Sequence, residues 1–293
     1  MPPIDVVPRS QGTSTQHVVH MSPPALFLLV GSFSYFPHSL QRSTAAEPRQ
    51  RWQSYRRVAG EADAIAAAAI CNAEAAMIGD VTGSEKAAGY GELLAMGLNA
   101  LARAVHLCQS DRFVDVGSGS GKLVFQAASM HNVASATGIE LSPTRHAMAE
   151  SALKRLVEAD AEAASRVHLI RGDAVSDHQA LKALQSASVV FANNLLFGEL
   201  LNARLAELLS ASDSLRAVVI LKPFAGGLGG FQPDRSPLPC QVSWLPPRDG
   251  ELIPPGFPCT VYRRVGDRSS GPLRRISLSI ACQSIKEDSG SGK

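Results

Sequence analysis

Val114-Asp115-Val116-Gly117-Ser118-Gly119-Ser120-Gly121-Lys122 sits where a short β-branched run, residues 112–116, gives way to a helical pattern over residues 121–130. Glycines at 117, 119 and 121 let the backbone turn sharply there and let a ligand approach the chain closely. The amides of such a loop can hold a polar ligand. Outward from this junction the same alternation repeats. Residues 136–140 read as a second strand, and residues 143–159 as a helix with Ser142 as its cap and Pro143 at its first position. Residues 166–170, 188–192 and 216–221 supply three more strands, with helices near 177–184 and 199–209 between them. Strand-helix repetition at this spacing predicts an α/β fold with a parallel, doubly wound sheet.

The glycine spacing separates two cofactors. A dinucleotide fingerprint, G-x-G-x-x-G, needs glycine at 122, where this chain has Lys122. Gly121, with an acid two residues before Gly117, looks instead like the S-adenosylmethionine loop D-x-G-x-G-x-G. An anionic pyrophosphate sits poorly beside Asp115, whereas the ammonium end of a methionine moiety finds favourable charge there. Glu140 ends the second strand, where one carboxylate can accept from both hydroxyls of a ribose. Asp173 ends the third strand in Arg171-Gly172-Asp173, placed to accept from an adenine amine. Each acid alone reads as a helix cap or a surface charge; three at the ends of three successive strands point to a nucleoside site. The fourth strand runs into Phe191-Ala192-Asn193-Asn194-Leu195-Leu196-Phe197-Gly198. Adjacent amides after a buried strand are costly without partners. Either they tie the strand end to neighbouring loops, or one points into a site and holds an amine.

Composition bounds the rest. The chain has 293 residues, 45% hydrophobic and 18% charged, with net charge +2, which suits a globular protein and does not by itself imply a nucleic-acid or membrane partner. No run reaches the roughly 20 apolar residues of a spanning helix. Charge is segregated: residues 1–60 and 263–293 each carry a net +4, and residues 61–262 a net −6. Five scattered cysteines and eight scattered histidines, including His17 and His20 in a tail, suggest neither a disulfide framework nor a metal site. Residues 1–57, rich in Pro, Ser, Gln and Arg with an apolar patch at 25–36, read as a disordered extension or an organelle-targeting segment. An Ala-dominated helix is expected over residues 61–78, stopped at Gly79, followed by a glycine-rich loop to Gly91. A methyltransferase-like domain is expected over residues 58–285, with a disordered tail at 286–293.

After Pro223 the pattern changes. Residues 225–258 are dominated by Gly and Pro, and two later strand candidates, 259–265 and 275–282, have no helix between them. They are expected to close the sheet as an antiparallel hairpin, an ending that resembles class I (Rossmann-like) methyltransferases more than dinucleotide dehydrogenases. The chain as a whole resembles the disruptor-of-telomeric-silencing (DOT) family of non-SET histone-lysine methyltransferases. Tyr90-Gly91-Glu92, residues 113–126, Gly138-Ile139-Glu140, Gly172-Asp173, residues 189–198, Leu221-Lys222-Pro223-Phe224 and Val242-Ser243-Trp244 carry the likeness in the family's order.

The resemblance implies a residue map. Glu92 contacts the methionine amine; Asp115 and Gly117 line the methionine, in a loop completed by Gly119, Gly121 and Lys122; Glu140 binds ribose and Asp173 adenine. Asn193, Phe197 and Trp244 border a channel for the lysine, completed by Tyr262. Lys122 stands where the family often has Gln, Ala174 replaces an aromatic that packs on adenine, and Leu93-Leu94 replaces a Thr-Ser pair. An insertion with Pro246, Pro247, Pro254 and Pro255 separates Trp244 from Tyr262.

The expected activity is methyl transfer from S-adenosylmethionine to a lysine in the globular part of nucleosomal core histone three, which implies nuclear residence. Basic clusters, Arg49, Arg51, Arg56 and Arg57 in one and Arg263, Arg264, Arg268, Arg274 and Arg275 in the other, either meet nucleosomal DNA phosphates or stay solvated. Three rivals remain: a class I methyltransferase for another protein, RNA or a small molecule; a nicotinamide-dependent oxidoreductase, disfavoured by Gly121 and Lys122; and a binding module without turnover. Oligomeric state has no signature in the sequence.

Overall fold

The computed structural model describes residues 70–247, 249, 251–253 and 255–266. The N-terminal extension, the expected helix before residue 70, the strand candidate at 275–282 and the tail at 286–293 lie outside the described residues.

The chain enters through α1 (Asn72–Thr82), a 3-10 turn (Glu85–Ala88) and α2 (Ala95–Ala104). The expected stop at Gly79 does not occur. α1 runs through it and ends at Gly83, which adopts φ 67° and donates its N–H to the Gly79 carbonyl. That left-handed cap is the glycine position at which a Cβ is costly. There follow β1 (Arg112–Val116), α3 (Lys122–Met130), β2 (Ser135–Glu140), α4 (Pro143–Ala159), α5 (Ala161–Ala164), β3 (Val167–Arg171), α6 (His178–Ser186), β4 (Val189–Ala192), α7 (Glu199–Ser210) and β5 (Ala217–Ile220). Ser142 caps α4 as expected, its hydroxyl accepting from Arg145 N at 3.0 Å, and Asp177 caps α6 through bonds from Gln179 N and Ala180 N.

β6 (Phe231–Pro233), β7 (Leu238–Gln241) and β8 (Gly256–Arg264) complete one sheet of order β3-β2-β1-β4-β5-β8-β6, with β7 also paired to β8. The first five strands are parallel and β8 is antiparallel to its neighbours. The antiparallel closure is therefore built from β8 with β5, β6 and β7. Two of these partners come from the Gly/Pro stretch, which carries no strand pattern of its own.

Alternation along the strands divides the core into two layers. Phe113, Phe191, Ala217 and Val219 face α2, α3 and α4, meeting Leu98, Leu101, Phe125 and Leu156. Val114, Val116, Val190, Val218 and Ile220 face α6 and α7, meeting Leu184, Leu205 and Leu209. With both faces covered, the carboxyl ends of β1 to β4 are the open edge, and the segment from α1 to Leu93 lies across it. Thr82 O accepts from Gly198 N at 3.2 Å, and Leu93 makes an isolated antiparallel bridge to Val242.

Candidate active site

A cleft of about 370 Å³ opens along that edge, a volume suited to a small organic ligand. Gly117, Gly119, Glu140, Gly172, Asp173 and Ala174 line it from the ends of β1 to β3, and Gly91, Asn193, Leu196, Phe197 and Trp244 line it from the crossing segment and the loops after β4 and β7. The sequence-expected residues Gly117, Gly119, Glu140, Asp173, Asn193, Phe197 and Trp244 are thus brought to one cavity.

Glu140, 6% exposed, has its two oxygens held by separate backbone donors, Gly119 N and Ser142 N, each at 2.7 Å. Burial outweighs these bonds and raises its carboxyl above the usual range. Each oxygen keeps a lone pair for a ligand hydroxyl. Asp173 accepts from Val175 N at 3.1 Å and Ser176 Oγ at 2.5 Å, so it is also a turn residue.

The two asparagines divide the roles left open by sequence. Asn194 is fully buried and ties strand ends: its Oδ1 accepts from Leu221 N and Lys222 N, and its Nδ2 donates to Lys222 O and Asn202 Oδ1. Asn193 lines the cleft and donates through Nδ2 to Gly91 O at 2.9 Å. The Gly91 backbone lies against the Trp244 ring so closely that a Cβ there would be 2.6 Å from it. Phe257 packs edge-on to that indole at 5.8 Å.

Five expected site residues lie elsewhere. Tyr262 is 4% exposed, stacks on Phe224 at 6.0 Å and belongs to the second core layer, so it is no part of the channel. Asp115, Gly121, Glu92 and Lys122 are set back from the cleft wall. Asp115 is 2% exposed; burial, then the charge of Glu140, push its carboxyl up to about 8. Gly121, at φ 81°, precedes α3, where a Cβ would meet the Phe125 ring at 2.9 Å. Glu92 pairs with Lys122 Nζ at 2.9 Å and accepts from the Tyr90 hydroxyl and from Ser120 Oγ at 3.4 Å. Its carboxylate therefore joins the crossing segment to the start of α3, and Tyr90 stands between it and the cleft. Burial, followed by the Glu92 charge, raises the Tyr90 phenol well above its ordinary value, keeping it protonated.

Among the cleft residues that the residue map omits are Tyr90 and Arg145. Tyr90 is within the Tyr90-Gly91-Glu92 segment already noted. Arg145, 6% exposed, is a cation in the first turn of a helix, against the usual dipole preference; that local conflict was the available signal. Of the C-terminal basic cluster, Arg263 pairs with Asp234 at 2.8 Å, and Arg264 donates to Leu215 O and lies 4.6 Å over the Phe231 ring. These two serve the fold. Among the described residues no helix is long and apolar enough to cross a membrane, and no His, Cys, Asp and Glu group could hold a metal.

A family model described as histone methylation protein DOT1 matches residues 82–227. An H3 lysine-79 specific histone-lysine N-methyltransferase of Emericella nidulans is 32% identical over 119 residues, 40% of this chain and 24% of that protein. One of the same name from Chaetomium globosum is 32% identical over 138 residues, 46% of this chain and 27% of that protein. The chain spans about a quarter of the length of these curated relatives. A SAM-dependent methyltransferase from Geobacter sulfurreducens, solved with S-adenosyl-L-homocysteine, is 28% identical with a TM-score of 0.32, covering 48% of this chain and 49% of that one.

Proposed function

We propose that this chain, a member of the family of histone methylation protein DOT1, is an S-adenosylmethionine-dependent protein-lysine N-methyltransferase. Its substrate is a lysine of the globular part of histone H3 in the nucleosome, the substrate class for which its relatives are named, and its place of action is the nucleus. One observation carries the reading. A single cleft gathers nucleoside-type acceptors, Glu140 and Asp173, together with an amide and two aromatic rings, Asn193, Phe197 and Trp244.

The residues present fit the cofactor. The Glu140 carboxylate is already oriented by two backbone donors for a ribose diol, and Gly117 and Gly119 expose bare backbone to the cleft. Asp173 supplies an acceptor at the adenine end. When bound, S-adenosylmethionine supplies a methyl carbon on a sulfonium, already a good electrophile. The chain's part is to align a neutral amine with that carbon, and alignment of this kind contributes several kcal/mol to a rate.

A free lysine has a pKa near 10.4. Phe197 and Trp244 exclude water, which disfavours the ammonium and lowers that value. With Nδ2 committed to Gly91 O, Asn193 has its carbonyl oxygen left to accept an N–H of the neutral amine and point its lone pair toward the methyl. The amine's proton leaves to water before attack, so no dedicated base is needed. An amine held by Asn193 would take the methyl, and S-adenosylmethionine would leave as the thioether S-adenosylhomocysteine, its C–S electron pair retained on sulfur.

Radiolabelled methyl transfer onto nucleosomes, free histones and total RNA in parallel tests this reading, with Asn193→Ala as control. Label on histone H3 in nucleosomes, lost in the variant, is expected. Label confined to RNA, or to proteins other than histone H3, would overturn the substrate assignment.

A further inference from the structure

We propose that Arg145 is a positioning residue that latches the segment 84–92 over the bound nucleoside, so that cofactor affinity and the order of this segment rise together. The inference rests on the reading that the cleft takes S-adenosylmethionine.

Arg145 is anchored on α4, three residues after the cap Ser142, and Ser142 N is itself bonded to Glu140. Its guanidinium reaches across to the crossing segment. Nη2 donates to Ala88 O, and the guanidinium carbon lies 5.0 Å from the centre of the Tyr90 ring. Tyr90 in turn bonds Glu92, which pairs with Lys122 at the start of α3. One side chain thus joins the turn that carries the ribose acceptor to the segment that covers it. At 6% exposure a guanidinium needs compensation. Here it comes from one carbonyl, one aromatic face and the nearby carboxylates of Glu74 and Glu140. The Nε–H is buried without an acceptor among the described residues.

Arg145, Tyr90 and Glu140 all line the cleft. A nucleoside seated there displaces water from the exposed side of the Tyr90 ring and from the rim of the guanidinium. Both the cation–π contact and the attraction to the carboxylates strengthen as water leaves. Ligand and latch therefore favour one another, and by linkage each stabilises the other by the same factor.

The test uses the full chain as wild type, Arg145→Met and Arg145→Lys, titrated calorimetrically with S-adenosylmethionine and S-adenosylhomocysteine. Amide exchange of residues 87–93 is followed with and without ligand. Wild type should show slowed exchange on binding. Arg145→Met should bind about tenfold more weakly, within the usual range of coupling factors, and lose the ligand-induced slowing; Arg145→Lys, which keeps a donor and a cation, should recover part of both. If Arg145→Met does not fold, Tyr90→Leu removes the other half of the latch and should give the same two losses. A wild type that binds and a variant that binds equally, with the same slowing, overturns this inference alone. A wild type that binds neither ligand overturns the nucleoside reading and the latch with it.

Discussion

Replacing Asp115 by Asn should raise stability at neutral pH and reduce a proton release on cofactor binding. Asp115 is buried in the register between Gly138 of β2 and Phe191 of β4, and its carboxyl is pushed up to about 8 by burial first and by the Glu140 charge second. In the unfolded chain it titrates near 3.9. Below about pH 4 both states hold the proton, and the group costs nothing. As pH rises further the unfolded chain releases its proton while the folded chain keeps it, so stability falls by about 1.4 kcal/mol per pH unit until the folded group ionises near 8. By pH 7 the accumulated cost is about 4 kcal/mol. Asn, of similar shape, carries no such proton. Urea unfolding of wild type and Asp115→Asn at a series of pH values from 4 to 8 should give a difference near zero at the acid end that widens steadily toward neutrality. A difference independent of pH would refute the reasoning.

The same titration has a functional reading. A cationic sulfonium and ammonium arriving near Glu140 and Asp115 favour the ionised carboxyl. Binding of S-adenosylmethionine at pH 7 should therefore release a proton, read as a dependence of the calorimetric enthalpy on the ionisation enthalpy of the buffer. Asp115→Asn should weaken that dependence, leaving the share contributed by the raised carboxyl of Glu140.

Four more perturbations probe separate parts of the structure. Asp111→Asn should destabilise by about 3 kcal/mol, because buried Asp111 accepts from Arg216 at 2.9 and 2.6 Å, from Ser188 Oγ and from Cys108 N. Burial raises its carboxyl but these bonds outweigh it and hold it low, so the wild-type advantage exists above about pH 4 and fades as pH falls through the depressed folded value; unfolding curves that fail to converge in acid would contradict this. Asn194→Ala removes the tie between the ends of β4 and β5 and should cost about 3 kcal/mol, read from the urea midpoint; a loss below about 1 kcal/mol would show the tie to be dispensable. Gly91→Ala sets a Cβ 2.6 Å from the Trp244 ring and should cut protein methylation about a hundredfold by displacing the wall, with binding of S-adenosylhomocysteine nearly unchanged; equal losses in both would place Gly91 in the nucleoside half. Finally, the chemical rate should climb from pH 6 to 9 as the lysine loses its proton, and a flat profile would count against a neutral-amine step.

The parallel half of the sheet was legible because its strands and most of its helices carry a local signal: a β-branched run, a helical period, and a cap at Ser142. β6 and β7 carry none. They are three and four residues long, include Pro233 and Pro239, and exist as strands only through pairing with β8. The cleft positions of Glu140 and Asp173 followed from their place at strand ends, whereas that place left open which of Asn193 and Asn194 faces the cleft. Tyr262 misled because a strand side chain turns to the opposite face with every residue: at 262 it faces the α6 and α7 layer, while Val261 faces the other. Glu92 and Lys122 were expected to bind the cofactor; they instead pair with each other behind the cleft, across 30 residues, and no local pattern announces it. Arg145 is the reverse case, a residue whose conflict with helix polarity was visible and whose partners were not.

Residues 90–93 link the groups around Gly119 and Arg145 to those around Asn193 and Trp244. Tyr90 touches the nucleoside side, bonded to Glu92 and packed against Gly119 and Arg145. Gly91 touches the channel side, its carbonyl bonded to Asn193 and its Cα against Trp244. Glu92 and Leu93 are fixed to Ser243 and Val242, the residues just before that tryptophan. A single planar peptide separates the contacts of Tyr90 with Gly119 and Arg145 from those of Gly91 with Asn193 and Trp244. A shift of the Tyr90 backbone is therefore passed through that peptide to the Gly91 Cα, which lies against Trp244. Substitutions on this stretch that spare the fold should alter cofactor affinity and lysine geometry in proportion to how far they move that one peptide, and the widest separation of the two effects is expected at Gly91, whose missing side chain faces only the channel.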